Sequence, residues 1–369
     1  MRTVMVKKTA FTVWTLICLL SSTRAQKNFS DTAQQLNKVM DLYGAQDPGA
    51  QVLVARGNQI LFESVRGLAH LEHGIAWTTA TKSEAGSVSK QFTAAAILLL
   101  EKRGQLKLSD RLSQYFPELP SWGKEISIQH LLHHTSGLKD WGSITDLAGW
   151  PRGTIALNNL DVLDIIARQP NLNNAPGAEF IYSNSNYNLM ALLVERVSGQ
   201  SLAQFTAKEL FQPAGMTATT WRDDQNRVVP NRATAYSKTG SAYVTNMPNE
   251  SAYGNGGLLT TCQDLLRWTR YYLVEQKPLG EKPLERQLLN NGTYQQYAMG
   301  LFVDTLLGQY RISHSGATAG YRANLEFYPN LDLTIVWLSN NATGSFGTIP
   351  AGLREVFLGK ATTSTPTQA

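Results

Sequence analysis

Hydrophobic positions follow two rhythms along this chain. Gln51-Val52-Leu53-Val54-Ala55-Arg56 and Gln59-Ile60-Leu61-Phe62-Glu63-Ser64-Val65 are short apolar runs flanking Gly57-Asn58. Such runs about a two-residue turn predict a β-hairpin. The same rhythm returns beyond Tyr297, in Tyr321 to Tyr328, a Pro329-Asn330 turn and Leu333 to Leu338. Between these ends the apolar residues recur at helical spacing. Helices are predicted over Ile128 to His133, Asp161 to Arg168, Asn186 to Val197 with Gly199 as the stop, Leu202 to Leu210, and Asp264 to Leu273 with Thr261 as its cap. An amphipathic helix is predicted over Asp31 to Leu42, and another near Ile349 to Phe357. The longest apolar run, Gln91 to Leu100, begins directly after Ser87-Val88-Ser89-Lys90 and closes at Glu101-Lys102-Arg103 and Gly104.

Strands at both ends with helices between them predict an α+β fold. One antiparallel sheet is built from both termini, with flanking helices, and a mostly helical domain is inserted in its middle. The expected division is a discontinuous sheet domain over residues 26–86 and 297–360 and a helical domain over 87–296, with a cleft between them. No internal repeat is present.

Charge and composition refine this at the ends. Arg2, Lys7 and Lys8 precede an apolar stretch from Ala10 to Leu20 and then Ser21-Ser22-Thr23-Arg24-Ala25, the pattern of a secretory signal peptide over residues 1–25. The apolar stretch is too short to span a bilayer. The chain has 33 basic and 28 acidic residues, and four of the basic ones lie in residues 1–25, so a processed chain would carry a net charge near +1. That balance points away from nucleic-acid and membrane-surface binding. Of the two cysteines, Cys18 lies in the signal, so Cys262 is left without an internal disulfide partner. Residues 361–369, small and polar, read as a disordered tail. Bacterial export to the periplasm or medium is the expectation.

The candidate chemistry centres on Ser87 and Lys90. Three residues apart on a helix, they share one face, so the amine lies beside the hydroxyl it could deprotonate. A helix start also offers free backbone N–H groups and the positive dipole end to developing negative charge. The spacing recurs at Ser121 to Lys124 and Ser136 to Lys139, but glycines place both copies in loops. A proton relay needs a second polar group, and Tyr182-Ser183-Asn184 supplies it between Pro176-Gly177 and the Asn186 helix; Tyr253-Gly254-Asn255 and Tyr328-Pro329-Asn330 share its letters without its context. A third element, on a strand lining the cleft, has two candidates. Lys238-Thr239-Gly240 reads as a surface hairpin turn, so His314-Ser315-Gly316 is preferred. His130 and His133 lack a matching acidic set, and the histidines other than His314 are read as structural; no metal is expected.

With Gly86-Ser87-Val88-Ser89-Lys90, the segment His130 to Leu138, Tyr182-Ser183-Asn184, Gly256 to Thr261 and His314-Ser315-Gly316 in this order, the chain resembles the serine β-lactamase-like superfamily. The likeness is to its class C branch of penicillin-binding proteins, D,D-peptidases, D-amino-acid peptidases and related esterases, over roughly Pro48 to Asn341. The resemblance implies Ser87 as nucleophile, with Lys90 and Tyr182 exchanging its proton and the choice of base between them open. It implies backbone N–H groups of Ser87 and Ala317 as oxyanion donors. It also implies that Asn184 orients Lys90 and binds the substrate amide, that His314 binds a substrate carboxylate or steers the Tyr182 proton, and that Ser315 is a further donor beside Gly316. No cofactor is called for.

The expected activity is hydrolysis of D-amino-acid peptides or small esters through an acyl-enzyme, with cell-wall peptides among the candidate substrates. A class C-like β-lactamase is the first alternative, disfavoured by histidine where lysine is usual. A non-catalytic penicillin-binding sensor or scaffold is the second. Fold alone does not choose among these substrates.

Overall fold

A computed structural model describes residues 31–150, 155–343 and 347–359. The signal-peptide and tail segments read from the sequence lie outside these residues.

Strands β1 (Ala50–Arg56) and β2 (Gln59–Arg66) form the expected hairpin. A meander of β3 (Phe302–Leu306), β4 (Gln309–Thr318), β5 (Tyr321–Tyr328) and β6 (Leu333–Ser339) supplies the rest of one six-stranded antiparallel sheet in the order β3-β4-β5-β6-β1-β2. The two ends of the chain meet where β1 pairs β6, from Ala50 opposite Ser339 to Arg56 opposite Leu333.

These two central strands are buried on both faces, which explains why their sequences are apolar without alternation. Period two still sorts the side chains. Val52, Val54, Ile335 and Trp337 face helices α1 (31–40) and α9 (Ile349–Leu358) through Leu36, Met40, Ile349 and Leu353. Leu53, Ala55, Val336 and Leu338 face inward to the larger core shared with the helical region.

At the centre of that core runs α2 (Lys90–Lys102), buried at every position from Lys90 to Leu98. A helix apolar all round belongs inside. Helices α6 (Asn184–Ser198) and α7 (Leu202–Thr206) pack against it, α3 (Ile128–Leu132), α4 (Trp141–Leu147) and α5 (Asn159–Ala167) pack on α6, and α8 (Cys262–Thr269) covers the inner face of the sheet. Gly199, at φ +71°, ends α6 where the sequence placed its stop.

Three local readings are corrected. Ser121–Lys124 is a turn of 3₁₀-helix rather than a loop. The helices read through Leu210 and Leu273 change after Thr206 and Thr269 into π-helical turns, Ala207–Phe211 and Arg270–Glu275. Ser87 itself sits in a 3₁₀ turn, Gly86–Ser89, that feeds α2, not in the α-helix proper.

A small sheet joins Ser83–Glu84, Leu258–Thr260 and Thr220–Trp221. It draws the Gly256-Gly257 segment against the Ser87 turn. The Ala85 N–H donates to the Leu258 carbonyl at 2.8 Å, and the Leu258 N–H to Ser89 Oγ at 3.1 Å. Behind it lies an almost fully buried ion pair, Arg222 Nε to Glu84 Oε2 at 3.0 Å, with Glu250 3.6 Å from the guanidinium. Glu84 also accepts the Gly257 N–H at 3.1 Å, so the charges fasten this segment in place.

Candidate active site

The turn carrying Ser87 is pressed against strand β4 with no side chain between them. A Cβ on Gly316 would stand 2.0 Å from the Ala85 carbonyl oxygen and 3.0 Å from Ser87 N. A Cβ on Gly86, which has φ +50°, would stand 2.6 Å from Ala317 N. Glycine at both positions is therefore a steric requirement. The result brings the backbone amides of Ser87 and Ala317 to one place, which is the arrangement an oxyanion needs.

Lys90, the first residue of α2, has no exposed surface. Its Nζ lies 3.0 Å from Ser87 Oγ, 2.9 Å from Asn184 Oδ1 and 2.6 Å from the Asn255 carbonyl oxygen. The last two are obligate acceptors, so they take two N–H bonds whether the amine is charged or neutral. What points at Ser87 is then a third proton or a lone pair. Loss of one proton from Lys90 thus creates a base aimed at the serine hydroxyl without any side chain moving.

Both acceptors are held from behind. Asn184 opens α6, and its N–H donates to Asp140 Oδ2 at 2.6 Å; the other carboxylate oxygen of Asp140 caps α4 by accepting the Gly142 and Ser143 N–H groups. Asn255 is fixed by Asn188, which donates to its Oδ1 at 3.0 Å, while Thr93, one turn along α2 from Lys90, donates to the Gly254 carbonyl at 2.8 Å.

Tyr182 completes the group. Its ring centroid is 4.9 Å from Lys90 Nζ. Burial pushes the phenol well above its ordinary pKa, with the nearby Ser87 hydroxyl opposing this and the Asp140 charge adding to it. Tyr182 is therefore held as a neutral phenol.

On β4, Ser315 and Ala317 are exposed while His314, Gly316 and Thr318 are buried, as strand alternation requires. His314 Nδ1 lies 2.6 Å from the Ser315 carbonyl oxygen, so that nitrogen carries the hydrogen, and Nε2 accepts from the Tyr297 hydroxyl at 3.1 Å. Burial, then the Lys90 charge, lowers its pKa to about 3, against the weaker effect of the Ser315 carbonyl. Its ring centroid is 6.3 Å from that of Tyr182, and the two roles the resemblance implies for it, binding a substrate carboxylate or steering the Tyr182 proton, stand as proposals. Lys238, the rejected alternative, is exposed on a hairpin of Tyr236–Thr239 and Ala242–Thr245, its amine over the Tyr243 ring.

Sequence reasoning missed Asn255, Asp140, His134 and Tyr297. Asn255 belongs to a Tyr-x-Asn copy that was set aside; it serves through a backbone carbonyl, which leaves no mark in the residue type. Asp140 before Trp141 is readable as a helix cap, but its second oxygen on Asn184 is not. His130 caps α3 with Ser127, and His133 lies between the Gln129 and Glu285 carbonyls. Trp141 is core packing, donating to Asn188. Among the described residues no group of three or more His, Cys, Asp and Glu is disposed to hold a metal ion, and no helix is long and apolar enough to cross a membrane.

A sequence profile of the Beta-lactamase family matches residues 31–355, nearly the whole described chain. The chain belongs to the beta-lactamase family. It is a serine hydrolase of that family, and its relatives include penicillin-binding proteins. It is 32% identical over 313 residues to penicillin-binding protein 4* of Bacillus subtilis, covering 78% of this chain and 67% of that one. It is 27% identical over 326 residues to protein flp of Staphylococcus aureus, covering 84% and 64%. The chain thus spans about two thirds of the length of these relatives. Among solved structures, an octameric penicillin-binding protein homologue from Pyrococcus abyssi superposes with a TM-score of 0.74 at 22% identity, over 91% of this chain and 78% of that one. A D-stereospecific amidohydrolase from Streptomyces superposes with a TM-score of 0.72 at 20% identity, over 90% and 99%. At these identities the likeness is one of fold.

Proposed function

We propose that this protein is an exported hydrolase that forms an acyl-enzyme on Ser87 and cleaves amide or ester bonds of D-amino-acid peptides, amides or small esters. The observation that carries the reading is the buried Lys90 amine, committed to Asn184 and Asn255 and aimed at Ser87 Oγ from 3.0 Å.

In the proposed reaction Ser87 Oγ attacks the substrate carbonyl carbon, and its proton passes to Lys90. Tyr182, kept neutral by burial, relays that proton to the leaving nitrogen or oxygen as the carbon–leaving-group bond breaks. The Ser87 and Ala317 amides hold the oxyanion, and Asn184 and the exposed Ser315 hydroxyl are available to substrate. Water then attacks the ester carbonyl and gives up one of its own protons, which passes to Ser87 Oγ as the acyl–Oγ bond breaks and the acid departs. The D-amino acid side of the proposal draws on the Streptomyces amidohydrolase and on a D-amino acid amidase of Ochrobactrum anthropi, which superposes with a TM-score of 0.71 at 18% identity over 88% of this chain and 97% of that one. Histidine at position 314, where class C lactamases usually carry lysine, speaks against lactam turnover. A penicilloyl ester would form on Ser87 without a lysine at that position to hold the lactam carboxylate.

The test is to offer the purified protein and its Ser87→Ala variant D-alanine p-nitroanilide, p-nitrophenyl butyrate, a D-Ala-D-Ala peptide and a chromogenic cephalosporin. Ser87-dependent release from the first three, with slow or no cephalosporin turnover, is expected. Activity of Ser87→Ala equal to wild type would sink the nucleophile, and fast cephalosporin hydrolysis would make the protein a β-lactamase.

A further inference from the structure

His134 is a fully buried ionisable group for which the proposed reaction has no task. Its backbone lies in the left-handed region, at φ +55°. For a residue with a Cβ this conformation is unfavourable, and such outliers persist where the surroundings enforce them.

Its contacts converge on Tyr182. The His134 carbonyl accepts the Ile181 N–H at 2.9 Å, and His134 Nδ1 accepts the Ser183 N–H at 3.2 Å. Both chain neighbours of Tyr182 are therefore tied to this one residue. The Tyr182 ring itself is stacked on the imidazole, centroids 4.2 Å apart and planes 29° from parallel.

The hydrogen positions follow from the one donor that cannot rotate or flip. Because the Ser183 N–H points at Nδ1, that nitrogen is an acceptor. Asn186, 2.9 Å from the same nitrogen, must then present its NH₂ there and its Oδ1 to the Ser136 hydroxyl, 2.6 Å away. The imidazole hydrogen is left on Nε2, which has no hydrogen-bond partner among the described residues and lies among the rings of Tyr187 and Tyr297, whose centroids are 5.1 and 4.8 Å from that of His134. A second proton on Nδ1 would face two donors. Burial, then the Lys90 charge, works in the same direction and holds the ring far below its ordinary pKa.

We propose that His134 is a positioning residue for Tyr182, a neutral imidazole clip that fixes the phenol against Ser87 and Lys90 and takes no proton itself. The proposal rests on the acyl-transfer reading of Ser87, Lys90 and Tyr182. His134→Phe keeps a flat ring under Tyr182 but removes the acceptor for Ser183 and Asn186. With D-alanine p-nitroanilide, whose leaving amine must take a proton, this variant is expected to lower the acylation rate about 10- to 100-fold, the scale of a misplacement of about 1 Å, while KM stays within about twofold.

The deciding measurement is a double-mutant cycle with Tyr182→Phe, alongside thermal unfolding of each variant. If His134 acts through Tyr182, its substitution costs less than about twofold in acylation rate once the phenol hydroxyl is gone. Equal losses in both backgrounds, or no loss in the wild-type background, overturn the clip and leave the acyl-transfer reading standing. Should Tyr182→Phe acylate as fast as wild type, the relay role of Tyr182 fails and the clip with it. If His134→Phe does not fold, His134→Gln, whose amide oxygen can accept the Ser183 N–H but offers no ring to stack on, enters the same cycle with the same expected pattern.

Discussion

At the scale of single residues, the site depends on what is missing as much as on what is present. Gly316→Ala would place a methyl group 2.0 Å from the Ala85 carbonyl oxygen, which is backbone and cannot swing aside. The strand and the Ser87 turn must part, pulling apart the two amides proposed to hold the oxyanion. A fall in kcat of about 10²-fold or more is expected, the loss typical of one oxyanion donor; kcat within a few-fold of wild type would show that the two amides do not act together. Lys90→Met should abolish acyl-enzyme formation, as read by mass spectrometry after brief exposure to a slowly released ester. Side chains whose chemistry is their identity were legible in the sequence: the serine, the lysine and the tyrosine are recognisable by type and spacing, and the structure brings them together. Groups that act through backbone atoms were not. Asn255 contributes a carbonyl, and Ala317 an amide found only through its neighbour Gly316.

At the scale of elements, α2 and α6 were the easiest to read, because a run of buried apolar residues and a closing glycine mark their bodies and ends. The segment between them and the sheet is harder, since its shape is set by partners distant in sequence. Gly254 shows this. At φ +101°, a Cβ there would meet the Ala191 Cβ at 2.8 Å and the Tyr187 carbonyl oxygen at 2.9 Å, both on α6. Gly254→Ala should therefore push the 254–255 backbone off α6 and take the Asn255 carbonyl from Lys90. Loss of kcat with a lowered melting temperature is expected; an unchanged kcat would mean that Lys90 does not need this acceptor. The π turns after Thr206 and Thr269 were illegible for a related reason. An extra residue in a helical turn is enforced by packing, and residue type carries no signal of it.

At the scale of the whole molecule, stability is tied to buried charge and to pH. Glu84→Ala would leave Arg222 in the interior with Glu250, 3.6 Å away, in place of its closer partner, and breaking such a buried pair typically costs about 3–5 kcal/mol. Chemical denaturation should show a loss of that order. His130, His133, His134 and His314 all have lowered pKa values, chiefly through burial, to about 4 for His130 and about 3 for His314. As pH falls below the ordinary value of 6.5, the unfolded chain takes up protons that the native chain does not. Stability must therefore fall with decreasing pH, and for His314 the loss continues down to about 3. Melting temperatures should drop steadily from pH 7 to pH 4, and His314→Gln should flatten that slope; an unchanged slope would mean that His314 takes up its proton in the native chain as it does in the unfolded one.

The pairing of β1 with β6 also has a consequence in time. A strand completed by residue 56 waits for one that begins at residue 333, and the Ser87 turn waits for Gly316 and Ala317 on the same late meander. Contacts so distant along the chain fold slowly, because a long loop must close before they form. A chain still on the ribosome that has not yet delivered residue 339 holds the serine and lysine without the Ala317 amide beside them, so Ser87-dependent hydrolysis is expected to appear only after that residue has emerged.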